Sequence, residues 1–369
     1  MSPPWLWLVV GHALTCILML ITGVGLAFVL AGLERRESPL LVGQGALLGH
    51  KGALRLRGLS LVFVDALKLL FKEDLIPPRA HRGLFVLAPV WCLAGAVLMG
   101  SVIPLGPPLC PAAVTEVLAE GTCAAAWPLQ ALPVPDGLLV FAALSVASAF
   151  GLAMAGWASR SKWALLSSLR ASFQAASFAV PMGLGVLSVA VLFGSFDLAA
   201  LVERQGAWPW QWGVWGVPHV MAFVVVWTAL ILGTPRTPLR LDDGRSDAIG
   251  CLVEYSGVRA GLFRLAELMR AVFASALVVT LFFGGWRFPG FEGLSARWPS
   301  GLVVFVGFAV FCVKVTLACA VQLLARGSVV RPRPDQVLDL VWRRLVPFGA
   351  LTLLVSGLWR LLGCAEGGA

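Results

Sequence analysis

The feature that most constrains this chain is a recurring apolar run of about twenty residues or more. Eight such runs lie at approximately 5–32, 83–104, 137–157, 163–195, 214–234, 262–286, 301–325 and 344–363. A helix must run about 20 apolar residues to cross the hydrocarbon core of a bilayer. Over the 369 residues, 59% are hydrophobic and only 13% charged, with a mean hydropathy of +0.88. An ordinary soluble domain carries roughly twice that charged fraction, so this chain cannot cover itself with polar surface. The expectation is an all-α integral membrane protein of eight transmembrane helices. In the fourth run Arg170 and Pro181 suggest that the effective span starts after Arg170. Fifteen Trp against one Tyr, with 40 Gly, suit aromatic belts and glycine-tolerant spanning helices. Residues 5–32 are too long for the core of a cleavable signal and are expected to form the first span.

The connecting segments carry the orientation. The loops 33–82, 158–162, 235–261 and 326–343 (with Arg344) hold nine, two, four and five Lys or Arg. The alternate segments and both termini hold only Arg204, Arg287 and Arg297. The positive-inside rule then places the four basic loops in the cytoplasm and both termini on the outer, periplasmic side. The net charge of +9 reflects this asymmetry rather than a nucleic-acid surface. No internal repeat is visible, which argues against an inverted-repeat transporter. One polytopic membrane domain, 1–369, is expected.

Within the first basic loop, LSLVFVDALKLLFKED places Leu61, Val64, Leu67, Leu70 and Phe71 at helical spacing, with Asp65, Lys68, Lys72 and Glu73 mostly toward the other side. That predicts an amphipathic interfacial helix of about four turns, ended by Pro77-Pro78. It either lies inertly on the membrane surface or roofs a cavity and docks a partner. Six ionisable residues fall inside the spans: Arg170, Arg264, Glu267, Arg270, Lys314 and Arg360. Each costs about 2.5–3.5 kcal/mol at a helix centre unless paired or hydrated. Arg264, Glu267 and Arg270 share a helix face, which permits ion pairing or a cavity-lining acid. Snorkelling at the cytoplasmic end is the plainer reading for Arg264. Lys314 and Arg360 read as snorkelling anchors.

Chemistry-bearing motifs are sparse. The chain has no Walker loop, dinucleotide fingerprint or GxSxG, and its eight Cys and four His form no cluster of metal-ligand spacing. The loop RTPLRLDDGRSDAIGCLVEYSG (236–257) mixes Arg236, Arg240 and Arg245 with Asp242, Asp243, Asp247 and Glu254. It is either a solvated loop or the entrance to a proton relay, since neighbouring carboxylates push their pKa values apart. Cys110 and Cys123 share one outward loop, where a disulfide and free thiols are both open.

Several segments together resemble one family, the membrane-embedded H subunit (subunit 1) of NADH-quinone oxidoreductase, respiratory complex I. They are LERR (33–36), DALKLLFKEDLIPPRAHRGLFVLAP (65–89), VIPLGP (102–107), GWASRSKWALLSSLRASFQAASF (156–178), RTPLRL (236–241), EYSGVRAGLFRLAE (254–267), TLFFGGW (280–286) and RPDQVLDLVWRRLVP (333–347). Their order and spacing hold over about 320 residues, and the family's eight helices equal the eight apolar runs.

The resemblance implies a translocase subunit in the bacterial cell inner membrane, where the peripheral arm meets the membrane arm, not catalytic in isolation. Its substrate would be a quinone such as ubiquinone; NADH, FMN and iron–sulfur clusters would belong to partner subunits, with none bound by this chain. Carried over residue by residue, Glu34, Arg35, Arg36, Asp65, Lys68 and Arg236 become quinone-chamber candidates. Asp243, Asp247, Glu254 and Glu267 become the acid chain of proton coupling. Lys72, Glu73, Asp74, Arg79, Arg333 and Asp335 become peripheral-arm docking residues. The sequence departs from the family where Val146, Ala179 and Gly233 stand at glutamate positions and Arg240 and Arg245 replace acids. The alternative is a scaffold subunit of a related membrane-bound hydrogenase or oxidoreductase complex with a weakened or absent quinone or proton role.

Overall fold

Backbone N–H and C=O groups have no water to bond inside a bilayer, so the apolar runs fold as helices. The computed structural model describes residues 4–41, 54–109, 128–233, 254–291, 293, 298–327 and 334–363. The helices are α1 Pro4–Leu41, α2 Leu54–Phe71, α3 Arg82–Ser101, α4 Gly137–Ser159 and α5 Lys162–Phe193. They continue with α6 Leu198–Arg204, α7 Val217–Gly233, α8 Gly257–Phe282, α9 Ser300–Gly327, α10 Pro334–Leu340 and α11 Val346–Gly363. A π-turn, Val341–Leu345, joins α10 to α11 just before Pro347, whose missing N–H interrupts the ladder. Among the described residues the architecture is all-helical.

Seven of these helices are long and apolar enough to cross a membrane: Gly11–Glu34, Arg82–Ser101, Gly137–Ser159, Lys162–Phe193, Gly257–Phe282, Gly301–Ala325 and Gln336–Leu362. The run expected at 214–234 forms only the 17-residue α7, about 26 Å at 1.5 Å per residue and short of a ~30 Å core. Its start is delayed by Gly216, at φ 112°, and Pro218, before which the chain turns through a short 3₁₀ helix, Pro209–Gln211. The fourth run, expected at 163–195, forms one long helix. α5 begins at Lys162, two turns before Arg170, and passes Pro181 without breaking; Arg170 lies on its exposed face.

α8 is the axis of the bundle. In its most apolar window 83% of residues are buried, against 17–44% for the other six spans. Phe263, Met269, Phe273, Leu277 and Phe282 supply its core contacts. α3, α4 and α5 pack through small residues, as membrane helices do when lipid offers no hydrophobic gain on association. A Cβ on Gly95 would lie 2.6 Å from Ser148 Cβ, and one on Gly156 would overlap the Ser168 hydroxyl. These close approaches hold α3, α4 and α5 against one another, and the site lies at the end of the bundle where α8 begins.

Candidate functional site

Segments far apart in sequence meet at that end. The LysGluAsp run after α2 lies against the EYSG turn that starts α8. Ser256 Oγ donates to the Glu73 carbonyl at 3.2 Å and accepts from Leu75 N–H at 3.1 Å. Gly257 (φ 56°) lies under the same run, where a Cβ would sit 2.8 Å from the Lys72 carbonyl. These contacts end α2 at Phe71, six residues before the prolines expected to stop it. Asp74 pairs with Arg259 at 3.3 Å, and the Arg259 guanidinium stands 5.5 Å from the centre of the Phe85 ring. Phe85 stacks on Tyr255 at 4.0 Å, and Tyr255 donates to the Ala155 carbonyl at 3.3 Å. Arg160, which ends α4 in a left-handed conformation (φ 52°), donates to His81 Nε2 at 2.7 Å. That places the His81 proton on Nδ1 when the ring is neutral.

Beside this junction an apolar cavity of about 230 Å³ opens between α1, α2 and α8. Ala27, Phe28 and Ala31 form one wall, Val62, Ala66 and Leu69 a second, and Gly261, Leu265 and Leu268 the third. Two charged side chains join the lining, Asp65 from α2 and Arg264 from α8. Helical periodicity puts Asp65 on the side of α2 away from its apolar stripe. The structure uses both sides: Phe63, Leu70 and Phe71 are exposed, while Val62, Asp65 and Leu69 turn inward to the cavity. Arg264 is exposed, in keeping with the snorkelling reading, and it also lines the mouth of this cavity. The sequence signal for that role is its place one turn before Glu267.

Farther along α8, Glu267 and Arg270 line a small gap with Cys92, Leu152, Phe263 and Ala266. Arg270 also reaches a second space, lined by Ala179 and Gly233, and donates to Ser148 Oγ at 3.5 Å. Val146 and Ala179 line the neighbouring cavity between α4 and α5. The three positions where glutamate is expected therefore border adjoining apolar spaces.

Three further cations, Lys314, Arg360 and Arg204, satisfy carbonyls at helix ends. Lys314 Nζ donates to the carbonyls of Phe283, Gly285 and Arg287 at 2.8, 3.1 and 2.5 Å and stands 4.4 Å from the Trp212 ring centre. It thereby closes the C-terminal end of α8, where orphan carbonyls and the helix dipole favour a cation. Gln205 completes that end, accepting from Gly284 N–H at 2.9 Å and donating to Thr280 O at 2.9 Å. Arg360 donates to Val191 O at 2.7 Å, and Arg204 to Phe193 O, at the C-terminus of α5.

Of the expected site residues, Asp65 lines the main cavity and Glu267 the gap beyond it, while Asp74 is engaged inside the junction. Lys68, Lys72, Glu73 and Arg79 lie on the exposed surface beside it. Glu254 immediately precedes Tyr255, and Glu34 lies in the last turns of α1. Arg236, Asp243, Asp247 and Arg333, with the side chains of Arg35, Arg36 and Asp335, lie outside the described residues, as do Arg240, Arg245, Cys110 and Cys123.

The sequence model of the NADH dehydrogenase family matches residues 7–357. The chain belongs to the family of NADH-quinone oxidoreductase H subunits. It is 34% identical to the NADH-quinone oxidoreductase H subunit of Anaeromyxobacter dehalogenans, covering 81% of this chain and 70% of that protein. Identity is 33% to the H subunit numbered 2 of Koribacter versatilis, over 82% of this chain and 84% of the relative. It is also 33% to the H subunit of Syntrophotalea carbinolica, over 90% and 88%. Family members are components of an enzyme complex, and the apolar helices make this one a multi-pass membrane protein.

Proposed function

We propose that this chain is the membrane subunit that forms part of the quinone chamber of a proton-translocating NADH-quinone oxidoreductase. It sits in the bacterial inner membrane where the membrane arm meets the peripheral arm, with both termini outside and α7 completing eight crossings. The observation that carries this reading is the cavity between α1, α2 and α8. It is apolar, as an isoprenoid tail requires, and among the described residues its lining includes two charged groups, Asp65 and Arg264, suited to hydrogen-bond a headgroup. The junction built from residues 72–75, 81–85, 155–160 and 255–259 gives this end of the bundle a rigid surface for the peripheral arm. NADH, FMN and iron–sulfur clusters then reside in partner subunits, and quinone is the substrate held by this one.

Coupling to proton movement rests on fewer acids than the family pattern has. Glu267 stands beyond the cavity on α8, while Val146, Ala179 and Gly233 border spaces with no carboxylate in their lining among the described residues. Glu267→Gln is expected to lower proton translocation several-fold while leaving quinone reduction near the parent rate. Paired measurements of acidification and NADH oxidation in inverted vesicles check this.

The experiment for the central reading is affinity purification of the tagged chain from its native membranes. Recovery with iron–sulfur subunits and inhibitor-sensitive NADH:quinone activity supports it. Recovery with hydrogenase subunits would move the assignment to the scaffold alternative, and recovery alone would refute both. The relatives, each an NADH-quinone oxidoreductase subunit, favour the first outcome.

A further inference from the structure

A second cavity system lies away from the quinone portal and is independent of that reading. Its peripheral part, about 240 Å³, lies between α4 and α5 and is bounded by Phe141, Val146, Gly183 and Val186. Val146 on its rim is 44% exposed, facing outward from the bundle. An inner part of about 70 Å³ shares Ser145, Ala179 and Met182 with it and reaches α8. Arg270 lines that inner part among Met99, Ala229, Gly233 and Ala274.

The chemistry of this space is asymmetric. Its peripheral walls are almost entirely aliphatic or aromatic, which suits a hydrocarbon chain. Its inner end carries a guanidinium, which stays charged at any physiological pH and offers five N–H donors. One of those donors makes a long hydrogen bond to Ser148 Oγ, at 3.5 Å. Glu267, one turn earlier on the same helix, shares the gap near Cys92 with Arg270, whereas Arg270 alone of the two reaches this chamber. A cation where an apolar slot meets α8 favours a ligand with an anionic head and a single apolar tail.

We propose that this chamber binds a single-chain anionic amphiphile of the fatty-acid class. Its carboxylate lies on Arg270 and its tail runs between α4 and α5 past Val146 and Gly183. Entry is lateral, from the bilayer, past the exposed rim at Val146.

Gly183 provides a clean test. It lies within α5, and a Cβ placed there meets nothing within 4 Å, so Gly183→Phe fills the slot without displacing backbone. The purified full chain in phosphatidylcholine nanodiscs is irradiated with a diazirine-bearing hexadecanoic acid, and separately with the matching hexadecanol. The expected labels fall within residues 138–146 and 179–186. Unlabelled palmitate should compete at least about tenfold better than hexadecanol, as a charge-assisted contact requires. Gly183→Phe abolishes this labelling. Arg270→Gln brings acid and alcohol to equal competition, whereas Arg270→Lys, which keeps the charge, retains the preference. Labelling spread over α9 and α11 and unchanged by Gly183→Phe would overturn the site. Equal competition by acid and alcohol in the unsubstituted chain would overturn its anionic selectivity.

Discussion

At Lys314 the three protons of an ammonium meet three carbonyls at the end of α8. The sequence shows a lysine inside an apolar run, and charge alone suggests an anchor reaching for water. What it hides is that Gly284 and Gly285, both in left-handed conformations (φ 68° and 49°), stop α8 inside the bundle and turn its last carbonyls toward α9. Lys314→Met keeps the stem but leaves those carbonyls without their donor. A loss of about 3 kcal/mol is expected, since each buried polar group left unsatisfied costs about 1–3 kcal/mol. A fall in thermal unfolding midpoint in detergent would register it, and an unchanged midpoint would make Lys314 a dispensable anchor. Tyr255 is a similar case. The chain's one tyrosine carries no signal beyond its motif, yet it joins Phe85 to Ala155 and so ties α3 and α4 to the start of α8.

The amphipathic helix α2 shows how far periodicity reaches at the scale of an element. Its existence and its exposed apolar stripe, including Leu70 and Phe71, follow from spacing. The second, inward face does not, because Val62, Ala66 and Leu69 flank a charged Asp65 and only the neighbouring helices define what they face. Asp65→Asn keeps the shape of the wall and removes its charge. A rise of about 3–10-fold in the KM for quinone is expected, with complex assembly intact; loss of one polar contact corresponds to about 1 kcal/mol. Steady-state kinetics on membranes carrying the variant check this. At the α4–α5 interface, Gly156 lies directly against Ser168. Gly156→Ala should destabilise by about 1–3 kcal/mol through overpacking, seen as earlier thermal aggregation, whereas Gly183→Ala, with open space beside it, should not.

Across the whole molecule, seven of the eight apolar runs are matched by helices able to cross a membrane, because length and hydropathy alone set that property. The run at 214–234 contains a glycine and a proline that shorten its helix to α7, a local effect that a hydropathy window averages away. Family resemblance locates the motifs but not their meeting. That residues 73–75 lie on Ser256, and His81 on Arg160, depends on contacts between segments up to 183 residues apart, which no local pattern encodes. The portal cavity is likewise a product of three helices from distant parts of the chain.

The most direct test of the portal is photoaffinity labelling of the purified complex with an azido-quinone that retains its isoprenoid tail. Labelled peptides should map to residues 27–31, 62–70 and 261–268, and Ala66→Phe, which fills the cavity, should remove both the label and the NADH:quinone activity while the complex still assembles. Labelling elsewhere with full activity in Ala66→Phe would contradict a quinone path between α1, α2 and α8.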